Sequence, residues 1–376
     1  MLKRIISTGI LITCIINTCA FAAPELNINA RSAILMEQST GQILYEQNPD
    51  EQLPIASVTK IMTLLLICEA IDEGKITIDD NVTVSERAMS MGGSTMFLET
   101  GDVISVDEML KGIVVASAND GAVAMAEYIS GSEDEFVSQM NQRAKDLGME
   151  NTHFVNTNGL DADGHYSSAR DVAIMSRELM THPLILNYTK IWTDTMRGGK
   201  FELANTNKLI RFYEGATGLK TGSTSKALCC LSATAERNGM GLVAVVLGAP
   251  DSKARFNGAR ALLDWGFAAY NVKEIIPANQ EIGKIKIKGG TQKEVGLELR
   301  VPETILTDKA DKSEYTYEIV SLPDIKAPIY KGDCVGEGIV YKDKNEIKRT
   351  KVYANSDIPK KTFLFSAKEI INVLTS

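Results

Sequence analysis

The sequence predicts an α+β unit, an antiparallel sheet with flanking helices and a helical subdomain, followed by a small all-β domain. Two observations predict it. A hairpin pattern near the N-terminus and strand patterns near residue 240 bracket a long, mostly helical middle, and period-two alternation takes over near residue 272. At 376 residues and 44% apolar content, the chain is long enough for two domains, each with a core.

Residues 1–22 read as a secretory signal. Lys3 and Arg4 form a basic start, Ile10 to Ile16 an apolar stretch, and Ala20-Phe21-Ala22 a small-residue cleavage site. An uncleaved anchor is the alternative, although the apolar stretch is short for a membrane span. The chain is therefore expected to be exported, to the cell wall or the outer face of the cytoplasmic membrane. Ser32 to Met36 and Gln42 to Glu46 flank Ser39-Thr40-Gly41 as a β-hairpin. A helix from about Ser57 to Ile71 follows Pro54. Its residues Ile61, Met62, Leu64, Leu65, Leu66, Ile67 and Cys68 leave no polar face, so it is a buried helix, closed by Gly74.

Helical stretches follow near 106–112, 120–130, 134–147 and 170–181, with Asp107, Asp134 and Asp171 near their starts, where negative charge suits the helix dipole. Asn151 to Ser168 lacks periodicity and is rich in Asn, Asp and Gly. It reads as a long loop, and such loops inside compact domains are often functional. Strands are expected over Ala227 to Ala235 and Leu242 to Leu247, joined by a turn at Asn238-Gly239, and then a helix from about Ser252 to Tyr270. This order brings the first and last strands of the unit, residues 23–271, side by side.

Over residues 272–358, Ile282, Ile285 and Ile287, then Val295, Leu297, Leu299 and Val301, alternate with polar residues. More strands are expected near 316–320, 337–341 and 348–353. Residues 359–376 carry Phe363, Ala367, Ile370, Ile371 and Leu374 on one helical stripe, with Lys360, Lys361 and Lys368 outside it. This amphipathic helix either docks on its own domain or makes a peripheral membrane contact.

The net charge is −8, and removing residues 1–22 takes away Lys3 and Arg4 but no acid. Such an acidic chain without a basic block is not built for nucleic acid. Of six cysteines, Cys68, Cys229, Cys230 and Cys334 remain after cleavage. None has metal-ligand spacing, and they read as small buried hydrophobes. There is no HExxH, CxxC or Walker-type loop, so no metal and no cofactor is expected.

Three short motifs carry the chemistry: Ser57-Val58-Thr59-Lys60, Ser117-Ala118-Asn119 and Lys220-Thr221-Gly222. Each alone has an ordinary reading, as an N-cap, a turn or a surface lysine. The SxxK spacing even recurs at Ser223 to Lys226. The ordered trio is the signal. A serine hydroxyl needs a base within reach, and helix positions three apart share a face, so Lys60 can stand beside Ser57. Lysine serves as a base only when neutral, which burial and a second cation, Lys220, would favour. Ser57 at a helix start also presents its own N–H where an oxyanion would form. On a loop between helices, the Ser117 hydroxyl can relay a proton and the Asn119 amide can hold a substrate carbonyl. Lys220 and Thr221 suit a carboxylate, and Gly222 lets a substrate backbone approach the strand. With only His153, His165 and His182 available, a Ser-His-Asp triad would require coincidence.

With these motifs the chain resembles the low-molecular-weight penicillin-binding proteins, the serine D-alanyl-D-alanine carboxypeptidases. The likeness extends through Ala56-Ser57-Val58-Thr59-Lys60-Ile61-Met62-Thr63, Ala116-Ser117-Ala118-Asn119-Asp120, Thr152-His153-Phe154-Val155-Asn156, Asn158-Gly159-Leu160 and Gly218-Leu219-Lys220-Thr221-Gly222. It spans about residues 25–270, and the following β domain resembles the one such enzymes carry. The resemblance implies a β-lactamase/transpeptidase-like catalytic domain whose substrate is a peptidoglycan stem peptide ending in D-Ala-D-Ala, with β-lactams as covalent inhibitors. It implies that Ser57 forms the acyl-enzyme and releases D-alanine, with Lys60 as general base and Ser117 as proton relay. Asn119 would contact substrate, and Lys220 and Thr221 would hold the terminal carboxylate. The Ser223 N–H would complete the oxyanion hole, and Arg255 would add a cation to the carboxylate pocket.

Two departures stand out. Lys226-Ala227-Leu228-Cys229 replaces the more usual Ala-Gly pair, and the C-terminal helix ends early. A β-lactamase is the nearest rival, but class A enzymes deacylate with a loop glutamate, and none occurs between Asn151 and Arg177. A non-catalytic wall-binding or penicillin-sensing protein is the other rival.

Overall fold

The computed structural model describes residues 26–199 and 201–363. A five-stranded antiparallel sheet runs Ile43–Gln47, Ser32–Glu37, Met240–Ala249, Leu228–Arg237, Ala216–Thr224, so the N-terminal hairpin pairs with the last strand as expected. The middle strand is covered on both faces. Its alternation sends Val243, Val245 and Leu247 into one core and Leu242, Ala244 and Val246 into the other. The helix Ser252–Ala269 covers the second face with Phe256, Leu262, Leu263 and Phe267. The first face holds the buried helix Lys60–Asp72 and the helices Val106–Lys111, Asn119–Ser130, Glu133–Asp146 and Ala169–Leu179. Ser105, Ser132, Ser168 and Asp251 cap helix N-termini through their side chains.

Two short strand pairs, Asn81–Thr83 with Val103–Ser105 and the hairpin Thr193–Met196 with Phe201–Ala204, were not expected from the sequence. Strands of three or four residues are too short to show a period. Leu228 adopts a left-handed φ of 57°, a region that favours glycine, so the missing glycine leaves strain at the turn after the edge strand Ala216–Thr224.

The C-terminal strands form a second five-stranded sheet in the order Gly283–Lys286, Glu294–Glu298, Asn345–Ala354, Cys334–Lys342, Tyr315–Ser321. Tyr270–Ile276 pairs separately with Glu303–Asp308, so the composition change at 272 falls inside a strand that begins where the preceding helix ends. Ile285, Ile287, Val295, Leu297 and Leu299 enter this core as their alternation predicts. Val301 does not: its strand has already ended at Glu298, and it is 72% exposed.

The signal segment 1–22 and most of the C-terminal helix fall outside the described residues. At its start that helix is corrected. Lys360 bridges Gly290, and Thr291 and Gly289 bond to Pro359 and Lys361, so the chain there is extended against the β domain. Among the described residues, no helix is long and apolar enough to cross a membrane. The four cysteines are free thiols. Burial pushes Cys68 up to about 12 and Cys230 up to about 11. Cys229, on the opposite face of its strand, is half-buried. Cys334 is exposed, contrary to the expectation of burial, because it begins its strand at the domain surface.

Candidate active site

Ser57 lies in a 3-10 turn, Ala56–Thr59, and Lys60 is the first residue of the α-helix behind it. The helix therefore begins later than expected. The tighter turn eclipses positions three apart, which brings the two side chains closer together. Lys60 Nζ is 3.0 Å from Ser57 Oγ, 2.6 Å from Asn119 Oδ1 and 2.6 Å from the Asn158 carbonyl. A neutral amine has two N–H donors and one lone pair. Asn119 and Asn158 take the two hydrogens, leaving the lone pair for the Ser57 hydroxyl. Complete burial, and then the Lys220 charge, hold the Lys60 ammonium well below its usual range, while Asp120 opposes them.

The other groups are placed by local backbone. Gly112–Ala116 forms a π-turn that ends on Ser117 in a left-handed conformation (φ 64°), and the Ser117 side chain is buried. Such strain in a non-glycine residue clusters at functional sites. Asn119 opens the next helix instead of lying in a loop, and its Nδ2 donates to the Gly92 carbonyl, which fixes the amide's orientation. The buried Asp120 carboxylate accepts from the backbone N–H of Met96, Leu98 and Gly121 and ties down the segment beside the site.

The edge strand Ala216–Thr224 carries Lys220, Thr221, Gly222 and Ser223. It has a strand neighbour on one side only, so its other edge can accept an extended peptide. A Cβ on Gly222 would lie 2.7 Å from the Ile55 carbonyl oxygen and 2.9 Å from Ser57 N. The backbone that this glycine admits is thus the protein's own nucleophile turn, a correction to the expectation of substrate there. Lys220 is buried, its Nζ donates to the Thr221 carbonyl, and burial followed by the Arg255 charge lowers it to about 7. The Thr221 hydroxyl donates to Thr206 Oγ1 at 2.6 Å, a partner that no sequence motif marked. Arg255 Nη1 donates to the carbonyls of Gly222 (2.9 Å) and Cys230 (3.3 Å), two residues paired across the strands. Its contacts are therefore with the back of the edge strand. Ser223 is exposed beside Cys229. The second SxxK copy forms no such pair: Lys226 is exposed and pairs with Asp163 at 3.5 Å.

The sequence reading assigned no role to Asn158 and Gly159. Gly159 has φ 83°, and a Cβ on it would sit 1.9 Å from the Ala56 carbonyl oxygen, so the loop lies directly on the nucleophile turn. The Asn158-Gly159 pair within a loop that long was the available signal.

A serine on a tight turn beneath an edge strand, with a buried lysine three residues on, defines a serine hydrolase of the penicillin-binding type. The chain belongs to the D-alanyl-D-alanine carboxypeptidase family, which it matches over residues 18–251, and residues 270–360 match the C-terminal domain of penicillin-binding protein 5. It is 46% identical over 344 residues to D-alanyl-D-alanine carboxypeptidase DacF of Bacillus subtilis, covering 90% of this chain and 88% of that protein. Penicillin-binding protein 5 of Haemophilus influenzae superposes with a TM-score of 0.72 at 33% identity, covering 89% of this chain and 98% of that one. Penicillin-binding protein D2 of Listeria monocytogenes, in its ampicillin-bound form, superposes with a TM-score of 0.60 at 34% identity, covering 65% of this chain and 100% of that one. The protein is accordingly a hydrolase of the serine D-Ala-D-Ala carboxypeptidase type.

Proposed function

We propose that Ser57 removes the terminal D-alanine from stem peptides through an acyl-enzyme, with Lys60 as its base. The observation that carries this reading is the buried Lys60 amine, whose two hydrogens go to Asn119 Oδ1 and the Asn158 carbonyl and whose lone pair is left for the Ser57 hydroxyl 3.0 Å away. The Ser57 proton passes to Lys60 Nζ as Oγ bonds to the carbonyl carbon of the penultimate D-alanine. The oxyanion is held by the backbone N–H groups of Ser57 and Ser223. As the peptide bond breaks, the proton passes through Ser117 to the departing amine. Water then hydrolyses the ester. Asn119 contacts the substrate, while Lys220 and Thr221 bind its terminal carboxylate. Arg255 supports the edge strand from behind and adds positive potential at Lys220.

The missing loop glutamate supports slow deacylation of β-lactams. Incubated with a penicillin, the protein is expected to carry a long-lived adduct on Ser57 by mass spectrometry. It is also expected to release D-alanine from diacetyl-Lys-D-Ala-D-Ala. Rapid penicillin turnover without an adduct would favour the β-lactamase reading. A folded protein that releases no D-alanine would favour the non-catalytic one.

The division of the mature chain near residue 271 is supported by the separate hydrophobic cores on either side. Export through a cleaved signal at residues 1–22 is supported by their pattern and by a peptidoglycan substrate, which is extracytoplasmic. N-terminal sequencing of the exported protein should begin at Ala23; a retained leader would point to an anchor. A peripheral membrane contact through the C-terminal helix rests on its apolar stripe and flanking lysines alone.

A further inference from the structure

The loop Asn151–Ser168 contains a histidine that the chemistry above does not use. His165 is buried, packed edge-to-face against Phe154 at 5.8 Å. Its Nδ1 accepts from the Val155 N–H at 3.0 Å, so the ring proton belongs on Nε2, which lies 2.7 Å from Thr59 Oγ1. This hydrogen bond crosses from the loop to the residue immediately before Lys60. Two others accompany it, from Thr63 Oγ1 to the Thr157 carbonyl and from Lys60 Nζ to the Asn158 carbonyl. With Gly159 against Ala56, the loop covers the turn that leads into Lys60, which is fully buried. Burial is the largest cause of the low proton affinity of Lys60, so whatever holds the loop in place tunes the base.

We propose that His165 is a positioning residue for the serine–lysine pair: through Thr59 it latches the 151–168 loop onto the nucleophile turn and keeps water from Lys60 Nζ. This rests on the reading of Lys60 as base. The groups acting on His165 are the Thr59 hydroxyl from the turn, the Phe154 ring, and the charges of His153 and Asp161 on its own loop. Burial lowers His165 to about 4, so the neutral ring keeps its one-donor, one-acceptor pattern at working pH.

The test is the pH dependence of acylation by a penicillin, measured on the full chain with melting curves alongside. For His165→Leu, the acid limb of the rate should move up by about one pH unit, so that the rate at any pH on that limb falls about tenfold, as water reaches Lys60. His165→Gln can accept from Val155 and donate to Thr59, and should restore the wild-type limb. Thr59→Val removes the same hydrogen bond from the other side and should reproduce the shift even if the leucine variant fails to fold. A lower melting temperature with an unmoved limb in Thr59→Val would overturn the proposal. Lys60→Arg, run in parallel, separates the two claims. If it acylates, the base assignment fails; if it is inert while the Thr59→Val limb is unmoved, only the latch fails.

Discussion

Lys60→Arg is expected to remove acylation of Ser57 at every pH, with a rate loss of at least about 10⁴-fold against a penicillin. The guanidinium keeps its proton throughout the accessible range, so it has no lone pair to offer the Ser57 hydroxyl. The surroundings sharpen the effect. The Nζ position is completely buried, and its three polar contacts are Ser57 Oγ, Asn119 Oδ1 and the Asn158 carbonyl, none of them a carboxylate. A permanent charge there would lack a counterion within hydrogen-bond reach. Melting curves must therefore accompany the kinetics. A folded arginine variant that acylates at a near-normal rate would sink the assignment of Lys60 as base.

Gly159→Ala should produce the second-largest effect. The glycine has φ 83°, and the new methyl group would meet the Ala56 carbonyl carbon at 2.4 Å as well as its oxygen at 1.9 Å. Both partners are backbone, so relief requires either the loop or the nucleophile turn to move. Either movement separates Asn158 from Lys60. The expected result is a stability loss of about 3 kcal/mol and an acylation rate reduced about a hundredfold. Gly74→Ala is the control. That glycine also has a positive φ, 70°, but nothing lies within 4 Å of its would-be Cβ. It should cost only about 1 kcal/mol and leave acylation unchanged. Equal losses in the two variants would mean that backbone conformation, and not contact with the turn, explains Gly159.

Much of the fold was legible because it is written in short-range patterns. The N-terminal hairpin, the unbroken apolar face of the helix behind Ser57, the glycine after it and the alternation of Ile285 to Leu299 are all features of a few consecutive residues. The short strand pairs were not legible because three or four residues show no period, and the extended path of Pro359 to Lys361 was not legible either, because its pairing is supplied by distant chain. For the site, the sequence named Ser57, Lys60 and Asn119, which the fold brings together, but gave no role to Asn158, which joins them. Gly222 was noticed for its freedom, yet the backbone it admits belongs to residues more than 150 positions earlier. Nor did the sequence show that Arg255 would donate to the carbonyls of Gly222 and Cys230 on the paired strands.

By itself, then, the sequence determined the α+β order, the Ser57, Ser117 and Lys220 motifs, and the absence of a loop glutamate, because residue type and local spacing carry that information. The tertiary structure decided what surrounds Lys60. Asn119, Asn158, His165 and Lys220 lie far from it along the chain, and only folding brings them close enough to strip its water and take its two hydrogens. Proton affinity depends on burial and on charges nearby in space, and neither is a property of a run of consecutive residues.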